Sequence, residues 1–372
     1  MRREKKIFHI IVGARPNFMK AAPLYHRLSK EKWCRVKLIN TGQHYHKNMS
    51  SDFFDDLNLP RPAVNLNVRG KTHAEQVGRI MVAYERAILK ERPSCTIVVG
   101  DVNSTLASAL AAKKCGVIVA HVEAGLRSFD RTMPEEINRV LTDSIADILW
   151  TPSEDGDENL AREGIAIDKV EFVGNIMIDA LVSLKEKIVR RKHWKDLGLT
   201  PKKYIVATLH RPSNVDNFKS LSQIVYVLKK ISSSNKIVFP VHPRTLKALK
   251  GFGLMKELIS SPNIVIEKPL SYIPFMSLVE RSSLIITDSG GIQEETTYLG
   301  IPCLTLRDTT ERPITITHGT NKLVNINDLC SEVERSEALK RPRPRPKFWD
   351  GFTSDRIAKS LKRYFLSSKS ER

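Results

Sequence analysis

The sequence predicts an α/β protein made of two doubly wound, parallel-sheet domains with an inter-domain cleft. Short apolar runs alternate with amphipathic stretches along most of the 372 residues. The runs are continuously apolar, as is typical of parallel strands that are buried on both faces. The alternation pauses once, at residues 185–202, and the chain is longer than one hydrophobic core usually supports. These observations together indicate two α/β domains.

The first half of the chain predicts six strands and four helices. The strands fall at residues 7–12, 36–39, 95–99, 117–122, 148–150 and 170–173. The helices fall at residues 72–90, 104–114, 135–145 and 157–163. Strands that alternate with helices indicate βαβ units, in which a helix connects two parallel strands, and therefore a parallel sheet. We place the first domain at residues 1–184.

The second half restarts the same alternation after the charged stretch at residues 185–202. Its strands are predicted at residues 204–209, 236–241, 263–267, 284–287, 302–306 and 322–324. We place the second domain at residues 185–345. Residues 341–348 are predicted to be a linker, and 353–366 an amphipathic helix. We expect residues 346–372 to pack back on the first domain.

Composition limits the classes of protein that this chain can be. No apolar run reaches the roughly 18 residues that span a bilayer, and residues 7–12 are too short for the core of a signal peptide. The five cysteines form no C-x-x-C pair, which favours reduced thiols in a cytoplasmic protein. The net charge of +19 fits anionic substrates, nucleic acid or a solvated basic surface. The basic residues 340–347 lack the interleaved aromatic side chains that stack on bases.

Polar and charged residues follow most of the predicted strands, where open α/β sheets bind ligands. The segments are Gly13-Ala-Arg-Pro-Asn17, Thr41-Gly-Gln-His44, Gly100-Asp-Val-Asn-Ser104, His121-Val-Glu-Ala-Gly-Leu-Arg127, His210-Arg-Pro-Ser-Asn214, His242-Pro-Arg244, Asp288-Ser-Gly-Gly291 and Arg307-Asp-Thr-Thr-Glu-Arg312. The chain has neither G-x-G-x-x-G nor a P-loop, so dinucleotide and P-loop binding are not supported. Arg15, Arg307 and Arg312 are candidate phosphate ligands, because a guanidinium group can donate two parallel hydrogen bonds to phosphate oxygens.

The segment after the strand at 284–287 predicts a helix start that can bind an anion. Gly290 and Gly291 allow close approach of the backbone, and the first amides of a helix favour negative charge. We expect Gln293, Glu294 and Glu295 to occupy the first turn, where a carboxylate could bind ribose hydroxyls. An ordinary capped helix start is the alternative interpretation.

Three carboxylates near one sheet edge suggest acid–base chemistry. Asp101 and Glu123 directly follow predicted strands, and Glu135 and Glu136 begin a helix. The last two differ by about 100° around the helix, so we expect only one to face the cleft. Stabilisation of the helix dipole is the structural alternative for that pair. His210 is a further candidate, and His44 and His46 are too scattered to predict a metal site.

These segments together resemble the non-hydrolysing UDP-N-acetylglucosamine 2-epimerase family over about four-fifths of the chain. The specific strings are His121-Val-Glu-Ala-Gly-Leu-Arg127, Pro134-Glu-Glu-Ile-Asn-Arg139, Thr287-Asp-Ser-Gly-Gly-Ile-Gln-Glu-Glu295 and Arg307-Asp-Thr-Thr-Glu-Arg-Pro313. The resemblance implies a GT-B fold of two Rossmann-like domains, a homodimer, and no cofactor or metal. It also implies C2 inversion through elimination of UDP and its re-addition, yielding UDP-ManNAc for surface polysaccharides.

The resemblance also implies which residues act. Its catalytic residues fall on Asp101, Glu123, Glu135 and His210. Its UDP-sugar contacts fall on Arg15, Lys20, His210, Phe275, Ser289, Gly290, Gly291, Glu295 and Arg312. The family's second, activating UDP-GlcNAc site involves the segment Gln43-His-Tyr-His-Lys-Asn-Met49, which departs from the usual family pattern here.

Other activities remain open at this point. A hydrolysing 2-epimerase or a 2-epimerase of a UDP-2,3-diacetamido uronic acid would use the same scaffold. A GT-B glycosyltransferase or an RNA-binding protein belongs to a different class. The glycosyltransferase would need an acceptor, and RNA binding would depend steeply on salt.

Overall fold

The computed structural model describes residues 5–43, 56–336 and 345–366, and within them the side chain of Arg15 is not described. The chain divides into two compact units. Unit 1 comprises Met1–Ser183 and Lys347–Arg372, and unit 2 comprises Leu184–Pro346. The division falls within one helix, Ile176–Arg191.

Unit 1 contains a seven-stranded sheet in the order β3-β2-β1-β4-β5-β6-β7, in which every neighbouring pair is parallel. The strands are β1 (Lys6–Val12), β2 (Cys34–Asn40), β3 (Val64–Asn65), β4 (Cys95–Val99), β5 (Ile118–Val122), β6 (Ile148–Thr151) and β7 (Val170–Phe172). The helices are α1 (Arg15–Ser29), α2 (His73–Lys90), α3 (Asn103–Lys114), α4 (Pro134–Ile145), α5 (Glu154–Arg162), a 3₁₀ turn (Ile167–Lys169) and α6 (Ile176–Arg191).

The core of unit 1 forms because its central strands are apolar on both faces. All five residues of β4 are buried, as four of the five in β5 are. Such strands pack helices against both sides of the sheet, which a parallel sheet requires. Helix α2 begins where the Thr72 hydroxyl accepts a hydrogen bond from the Glu75 amide at 3.2 Å, an ordinary N-cap.

The C-terminal segment belongs to unit 1. Its helix α16 (Thr353–Leu366) packs on α1, and the Arg27 guanidinium donates to Asp355 at 2.5 Å. Asp179 accepts the amides of Thr353 and Ser354 at 3.0 and 2.7 Å, which satisfies the first orphan donors of that helix.

Unit 2 contains a six-stranded parallel sheet in the order β10-β9-β8-β11-β12-β13. The strands are β8 (Tyr204–Thr208), β9 (Lys236–Pro240), β10 (Ile264–Glu267), β11 (Leu284–Thr287), β12 (Cys303–Thr305) and β13 (Asn321–Leu323). The helices are α7 (His193–Asp196), α8 (Pro212–Val215), α9 (Phe218–Ser232), α10 (Pro243–Gly251), α11 (Met255–Ile259), α12 (Tyr272–Arg281), α13 (Gly290–Leu299), α14 (Ile314–Thr317) and α15 (Leu329–Ser336).

The predicted fold class of two parallel-sheet α/β domains is confirmed. Each predicted strand is present, with ends that differ by no more than two residues. Helices α1 and α6 and the two-residue strand β3 were not predicted. All five cysteines are free thiols. Within the described part of the chain, no helix is both long and apolar enough to cross a membrane.

Candidate functional site

Each unit places its polar residues at the point where the order of its strands reverses direction. In unit 1 this point lies between the neighbouring strands β1 and β4, and in unit 2 between β8 and β11. In doubly wound sheets, ligands bind outside the carboxyl ends of the strands at this switch point. Lys20 and Asp101 follow the first pair of strands, and His210 and Asp288 follow the second.

Lys20 and Glu123 form a buried ion pair in unit 1. The Lys20 ammonium donates to Oε2 of Glu123, and only 7% and 2% of the two side chains is exposed. The other carboxylate oxygen of Glu123, Oε1, is buried and has no hydrogen-bond partner among the side chains and backbone groups that the structure describes. A buried carboxylate oxygen without a hydrogen bond costs free energy. We therefore infer that a ligand or a water molecule binds this oxygen.

The start of α1 brings Lys20 to this position. The Asn17 side-chain amide donates to the Val99 carbonyl at 2.8 Å, and its oxygen accepts the Ala14 amide at 3.0 Å. These bonds tie the first turn of α1 to the end of β4. A Cβ on Gly13 would lie 2.2 Å from the Ser104 hydroxyl, so only glycine fits between β1 and α3.

Asp101 is held by the polar face of α4. The Arg139 guanidinium donates to Asp101 Oδ2, and the Asn138 side-chain amide donates to the Asp101 carbonyl at 2.8 Å. The Asp101 side chain keeps 30% of its surface exposed, whereas Arg139 is buried. Asp101 is therefore fixed in place, while part of its carboxylate still faces solvent.

The two glutamates at the start of α4 have different environments. Glu136 is buried and accepts the amides of Ser128 and Phe129 at 3.0 and 2.8 Å, and it pairs with Arg139. Burial opposes ionisation of this carboxyl, but those donors outweigh burial and hold its pKa below the ordinary value. Glu135 is half-buried, and its carboxylate makes no hydrogen bond or ion pair with another described residue. Glu136 is thus structural, and Glu135 is the member of the pair that is open to a ligand.

In unit 2, the buried carboxylate of Asp288 organises the loop after β8. It accepts the amides of His210 and Arg211, each at 2.9 Å, and the Asn214 side-chain amide at 3.1 Å. Nδ1 of His210 lies 3.0 Å from Asp288 Oδ1. Burial opposes ionisation of Asp288, but the hydrogen bonds from His210, Arg211 and Asn214 hold its pKa below the ordinary value. Sequence reasoning did not assign this role to Asp288.

The His210 ring is oriented by this carboxylate. Because Nδ1 faces Asp288, Nδ1 carries a proton, and Nε2 is the nitrogen left for other partners. The His210 side chain is 39% exposed, which leaves Nε2 accessible. The ring also lies against that of His242, with 5.3 Å between the centroids.

Helix α13 begins at Gly290, with Ser289 as its N-cap. A Cβ on Gly290 would lie 2.8 Å from Nη1 of Arg312 and 2.6 Å from Oε1 of Glu311, so glycine lets this ion pair reach the helix start. A Cβ on Gly291 would meet nothing within 4 Å. The first amides of α13 therefore combine with a guanidinium in an arrangement that suits an anion.

Arg312 is itself buried between two carboxylates. Its guanidinium pairs with Glu311 and, through Nε, with Glu294 Oε1 at 2.8 Å. Glu311 also accepts from Arg307 at 2.8 Å. Burial opposes ionisation of Glu311, but Arg312 and Arg307 outweigh it and hold the pKa of that carboxyl well below its usual range. These carboxylates fix the orientation of Arg312.

Gln293 is the fourth residue of α13 and ends its first turn, whereas Glu294 and Glu295 are the fifth and sixth, so the expectation that all three occupy the first turn was wrong for the two glutamates. The helix begins at Gly290, directly after its cap Ser289, which is earlier than a first turn at residues 293–295 requires. Glu295 is buried and accepts the Tyr272 hydroxyl at 2.7 Å. Phe275 lies one turn further along α12 and is half-buried. Gln293 is buried and accepts from Thr310 and Asn321, so it is structural.

Some of the predicted residues lie wholly or partly outside the described part of the chain. Arg15 is the first residue of α1, and its side chain is outside the described part. His44 and His46, with most of the segment 43–49, also lie outside the described residues. Among the residues that are described, no group of three or more His, Cys, Asp or Glu side chains could hold a metal ion.

Comparison with known proteins agrees with a GT-B type α/β protein of two Rossmann-like domains. The crystal structure of Methanocaldococcus jannaschii UDP-GlcNAc 2-epimerase in complex with UDP-GlcNAc and UDP is similar, with a TM-score of 0.88 and 44% identity. It covers 96% of this chain and 99% of that one. The family model for UDP-N-acetylglucosamine 2-epimerase matches residues 26–362. The chain belongs to the UDP-N-acetylglucosamine 2-epimerase family.

Two curated relatives span nearly the whole chain. The Methanocaldococcus jannaschii UDP-N-acetylglucosamine 2-epimerase is 45% identical over 361 residues, which is 95% of this chain and 98% of that protein. The UDP-2,3-diacetamido-2,3-dideoxy-D-glucuronate 2-epimerase of Pseudomonas aeruginosa is 39% identical over 357 residues, covering 94% and 98%. The relatives therefore include proteins named for two different sugars.

Proposed function

We propose that this protein interconverts UDP-GlcNAc and UDP-ManNAc by inverting C2 without hydrolysis. The observation that carries the proposal is the set of carboxylates at the switch point of unit 1. Glu123 keeps one buried oxygen that has no partner in the described part of the chain, Asp101 is held but partly exposed, and the Glu135 carboxylate contacts no described polar group. Membership of the epimerase family supplies the class of reaction.

Unit 2 is proposed to hold the UDP group. The amides of Gly290 and Gly291 at the start of α13, with the oriented Arg312, would bind the pyrophosphate. Glu295 is the candidate for the ribose hydroxyls, and Phe275 for packing against the nucleoside. Further contacts are proposed for Arg15, Lys20, His210 and Ser289.

Breaking the C1–O bond is the first chemical step in this proposal. The proton on C2 is not adjacent to a carbonyl and is therefore hard to remove. Loss of UDP builds positive charge at C1, which acidifies the C2 proton, and anti elimination then gives 2-acetamidoglucal. The leaving pyrophosphate gains negative charge, which a preorganised guanidinium and helix amides stabilise.

Inversion needs one group to remove the proton from C2 and a different or relocated group to return it to the opposite face. Asp101, Glu123 and Glu135 are the proposed acid–base groups, because a carboxylate can take a proton and a carboxylic acid can return it. Well-placed groups of this kind typically contribute about 10²–10⁴-fold each. His210, whose ring Asp288 orients, is proposed to present Nε2 to the leaving group or to the pyrophosphate.

The product of incubation with UDP-GlcNAc tests the proposal. We expect a mixture of UDP-GlcNAc and UDP-ManNAc on chromatography, with UDP still attached to the sugar. Free ManNAc together with free UDP would instead identify a hydrolysing 2-epimerase. A requirement for an added sugar acceptor would identify a glycosyltransferase.

A second candidate substrate is a UDP-2,3-diacetamido uronic acid, because the Pseudomonas aeruginosa relative is named for that sugar. Comparison of kcat/KM for the two UDP-sugars decides between them. A ratio above ten in favour of UDP-GlcNAc supports the main proposal, and the reverse ratio identifies the uronate as the substrate.

We further propose that the enzyme is a cytoplasmic homodimer that requires neither metal nor NAD and supplies UDP-ManNAc for surface polysaccharides. Light scattering of the purified protein tests the dimer. Activity after exhaustive treatment with EDTA tests the independence from metal, since an enzyme that needs a metal would lose turnover.

A further inference from the structure

His121 is a buried residue of unit 1 that contacts both helix α4 and the loop after β4. It lies in β5 and has no exposed side-chain surface. Its Nδ1 lies 2.6 Å from Oδ1 of Asp143 in α4, and its Nε2 lies 2.8 Å from the Gly100 carbonyl that follows β4. One side chain therefore connects α4 with the loop that carries Asp101.

The protonation of this ring follows from its partners. A backbone carbonyl can only accept, so Nε2 must carry a proton that it donates to Gly100. Once Nε2 is protonated, the 2.6 Å contact between Nδ1 and Asp143 needs one further proton, which lies between these two atoms. His121 and Asp143 thus share a proton, and the Nε2–H donor persists whichever atom holds it.

Asp143 is held firmly from its other side. Its Oδ2 accepts the Gly125 amide at 3.0 Å and lies 2.7 Å from Nη1 of Arg127. Arg127 donates to both carboxylate oxygens of Glu163 at 2.7 Å. Burial opposes ionisation of Asp143, but His121 and Arg127 outweigh it and lower its pKa. The orientation of the His121 ring is therefore fixed by a charged network that is buried around Asp143.

The peptide that His121 contacts is the one that precedes Asp101. Gly100 has a positive φ of 68°, and its amide donates to the Val122 carbonyl at 3.1 Å. Asn138 donates to the carbonyl of Asp101 itself at 2.8 Å. His121 and Asn138 thus hold the carbonyls on the two sides of the Asp101 backbone.

We propose that His121 is a positioning residue, whose Nε2–H fixes the Gly100–Asp101 peptide and thereby aims the Asp101 carboxylate. This inference rests on the proposed role of Asp101 in proton transfer. His121 does not act on the substrate. A misplacement of about 1 Å in a catalytic group can lower turnover by about 100-fold, so loss of this one hydrogen bond has a measurable effect on kcat.

Two substitutions of His121 separate this role from a merely structural one. The nitrogen of glutamine extends to the position of Nε2, and that of asparagine to the position of Nδ1. His121→Gln therefore keeps a donor to Gly100 and loses the contact with Asp143, whereas His121→Asn does the reverse. We expect kcat to fall by about fivefold or less in His121→Gln and by about 50-fold or more in His121→Asn, with UDP affinity unchanged in both.

The proposal requires kcat of His121→Gln to exceed kcat of His121→Asn. A His121→Asn enzyme that is as active as His121→Gln, or more active, would overturn the proposal, because the contact with Asp143 would then be the important one. Thermal unfolding and UDP affinity establish that each variant is folded. If wild-type protein does not epimerise UDP-GlcNAc, the proposed function fails on its own, separately from this comparison.

Asp143 provides a second pair of variants if His121→Asn does not fold. In Asp143→Asn, the amide nitrogen can donate to the lone pair of Nδ1, and the neutral ring keeps its Nε2–H for Gly100. We expect kcat within about fivefold of wild type in Asp143→Asn and a loss of about 50-fold in Asp143→Leu, which cannot orient the ring. Equal, large losses in both variants would contradict the proposal.

A measurement on the protein without substrate tests the same hydrogen bond. Two-bond ¹⁵N–¹H spectra of histidine-labelled protein distinguish the protonation of the two ring nitrogens. We expect His121 to show a proton on Nε2, and this signal to be lost in His121→Gln. A ring protonated only on Nδ1 would rule out the donation to Gly100, whatever the enzyme catalyses.

Discussion

The two units share a topology, but they use the acids at their switch points differently. In unit 2, Asp288 is fully engaged by two backbone amides, Asn214 and the His210 ring. In unit 1, Glu123 has one oxygen paired with Lys20 and one oxygen for which the described residues offer no partner. The Asp288 carboxylate organises a loop, whereas Glu123 keeps an oxygen that a ligand or water could contact. The proposed division of roles, with anion binding in unit 2 and proton transfer in unit 1, rests on this difference in how completely the carboxylates are satisfied.

Asp101→Asn tests the chemical half of this comparison and has the largest expected effect. We predict that turnover falls by at least about 100-fold, because an amide cannot exchange a proton with C2, while UDP affinity is unchanged. Kinetics and calorimetry measure the two quantities. Glu158→Gln, at an exposed glutamate of the same unit, is the matched control and keeps full turnover. Wild-type turnover in Asp101→Asn would remove Asp101 from the mechanism.

Arg312→Ala tests the binding half of the comparison. We predict a 10- to 100-fold weaker affinity for UDP, since a hydrogen bond to a charged group contributes about 1.5–3 kcal/mol. Calorimetry with UDP measures the affinity, and thermal unfolding checks that the buried carboxylates Glu294 and Glu311 tolerate the change. Arg335→Ala removes an exposed arginine of the same unit and serves as the control. An unchanged affinity in Arg312→Ala would refute the assignment.

The two glycines at the start of α13 sharpen the same assignment. In Gly290→Ala the new methyl group would displace Arg312 and Glu311, so we predict a loss of both stability and UDP affinity, the latter by about tenfold. In Gly291→Ala nothing in the protein is displaced, and stability is unchanged. If the pyrophosphate lies against this helix start, the methyl of Gly291→Ala still weakens UDP binding. Wild-type UDP affinity in both variants would place the nucleotide elsewhere.

Asp288→Asn tests whether the acid of unit 2 is structural. Its lowered folded-state pKa means that the ionised form contributes stability above the unfolded value of about 3.9, and that this contribution is lost as the pH falls through the folded pKa. We predict a loss of about 1–3 kcal/mol in the free energy of unfolding at pH 7, from the weakened hydrogen bonds. Denaturant unfolding should show the difference from wild type shrinking below pH 4. A difference that is constant with pH would show that the ionised form is not the stabilising one.

Tyr272→Phe has the smallest expected effect. It removes one hydrogen bond to Glu295, which contributes about 0.5–1.5 kcal/mol, so we predict a small loss of stability. Glu295 then loses a positioning partner, and UDP affinity falls by a few-fold. Calorimetry measures this change, and Tyr226→Phe, at an exposed tyrosine of α9, is the control. Equal affinities in the two variants would separate Glu295 from nucleotide binding.

The strands could be predicted from the sequence because burial on both faces gives continuous apolar runs. Strand β4 was predicted with its observed ends, since all five of its residues are buried. Helix α1 was missed because it begins inside a polar segment and contains Pro23. Strand β3 has only two residues, too few to give a pattern. These elements depend on tertiary contacts that local sequence does not report.

The site residues could be proposed from their positions after strands, but their partners could not. The ammonium that pairs with Glu123 comes from Lys20, which is 103 positions away, and the strand order β1-β4-β5 brings the two residues together. Helical spacing predicted that only one of Glu135 and Glu136 faces the cleft. It could not show which one, because that depends on the bonds of Glu136 with Arg139 and two loop amides. The roles of Asp288 and His121 emerged only from the hydrogen bonds that each makes.

Proton NMR of UDP-GlcNAc incubated with the enzyme in D₂O tests the central claim most directly. We predict a UDP-linked manno product with deuterium at C2, because the proton that the carboxylates return comes from solvent. A manno product that retains its original C2 proton, or a substrate that remains unchanged, would contradict it.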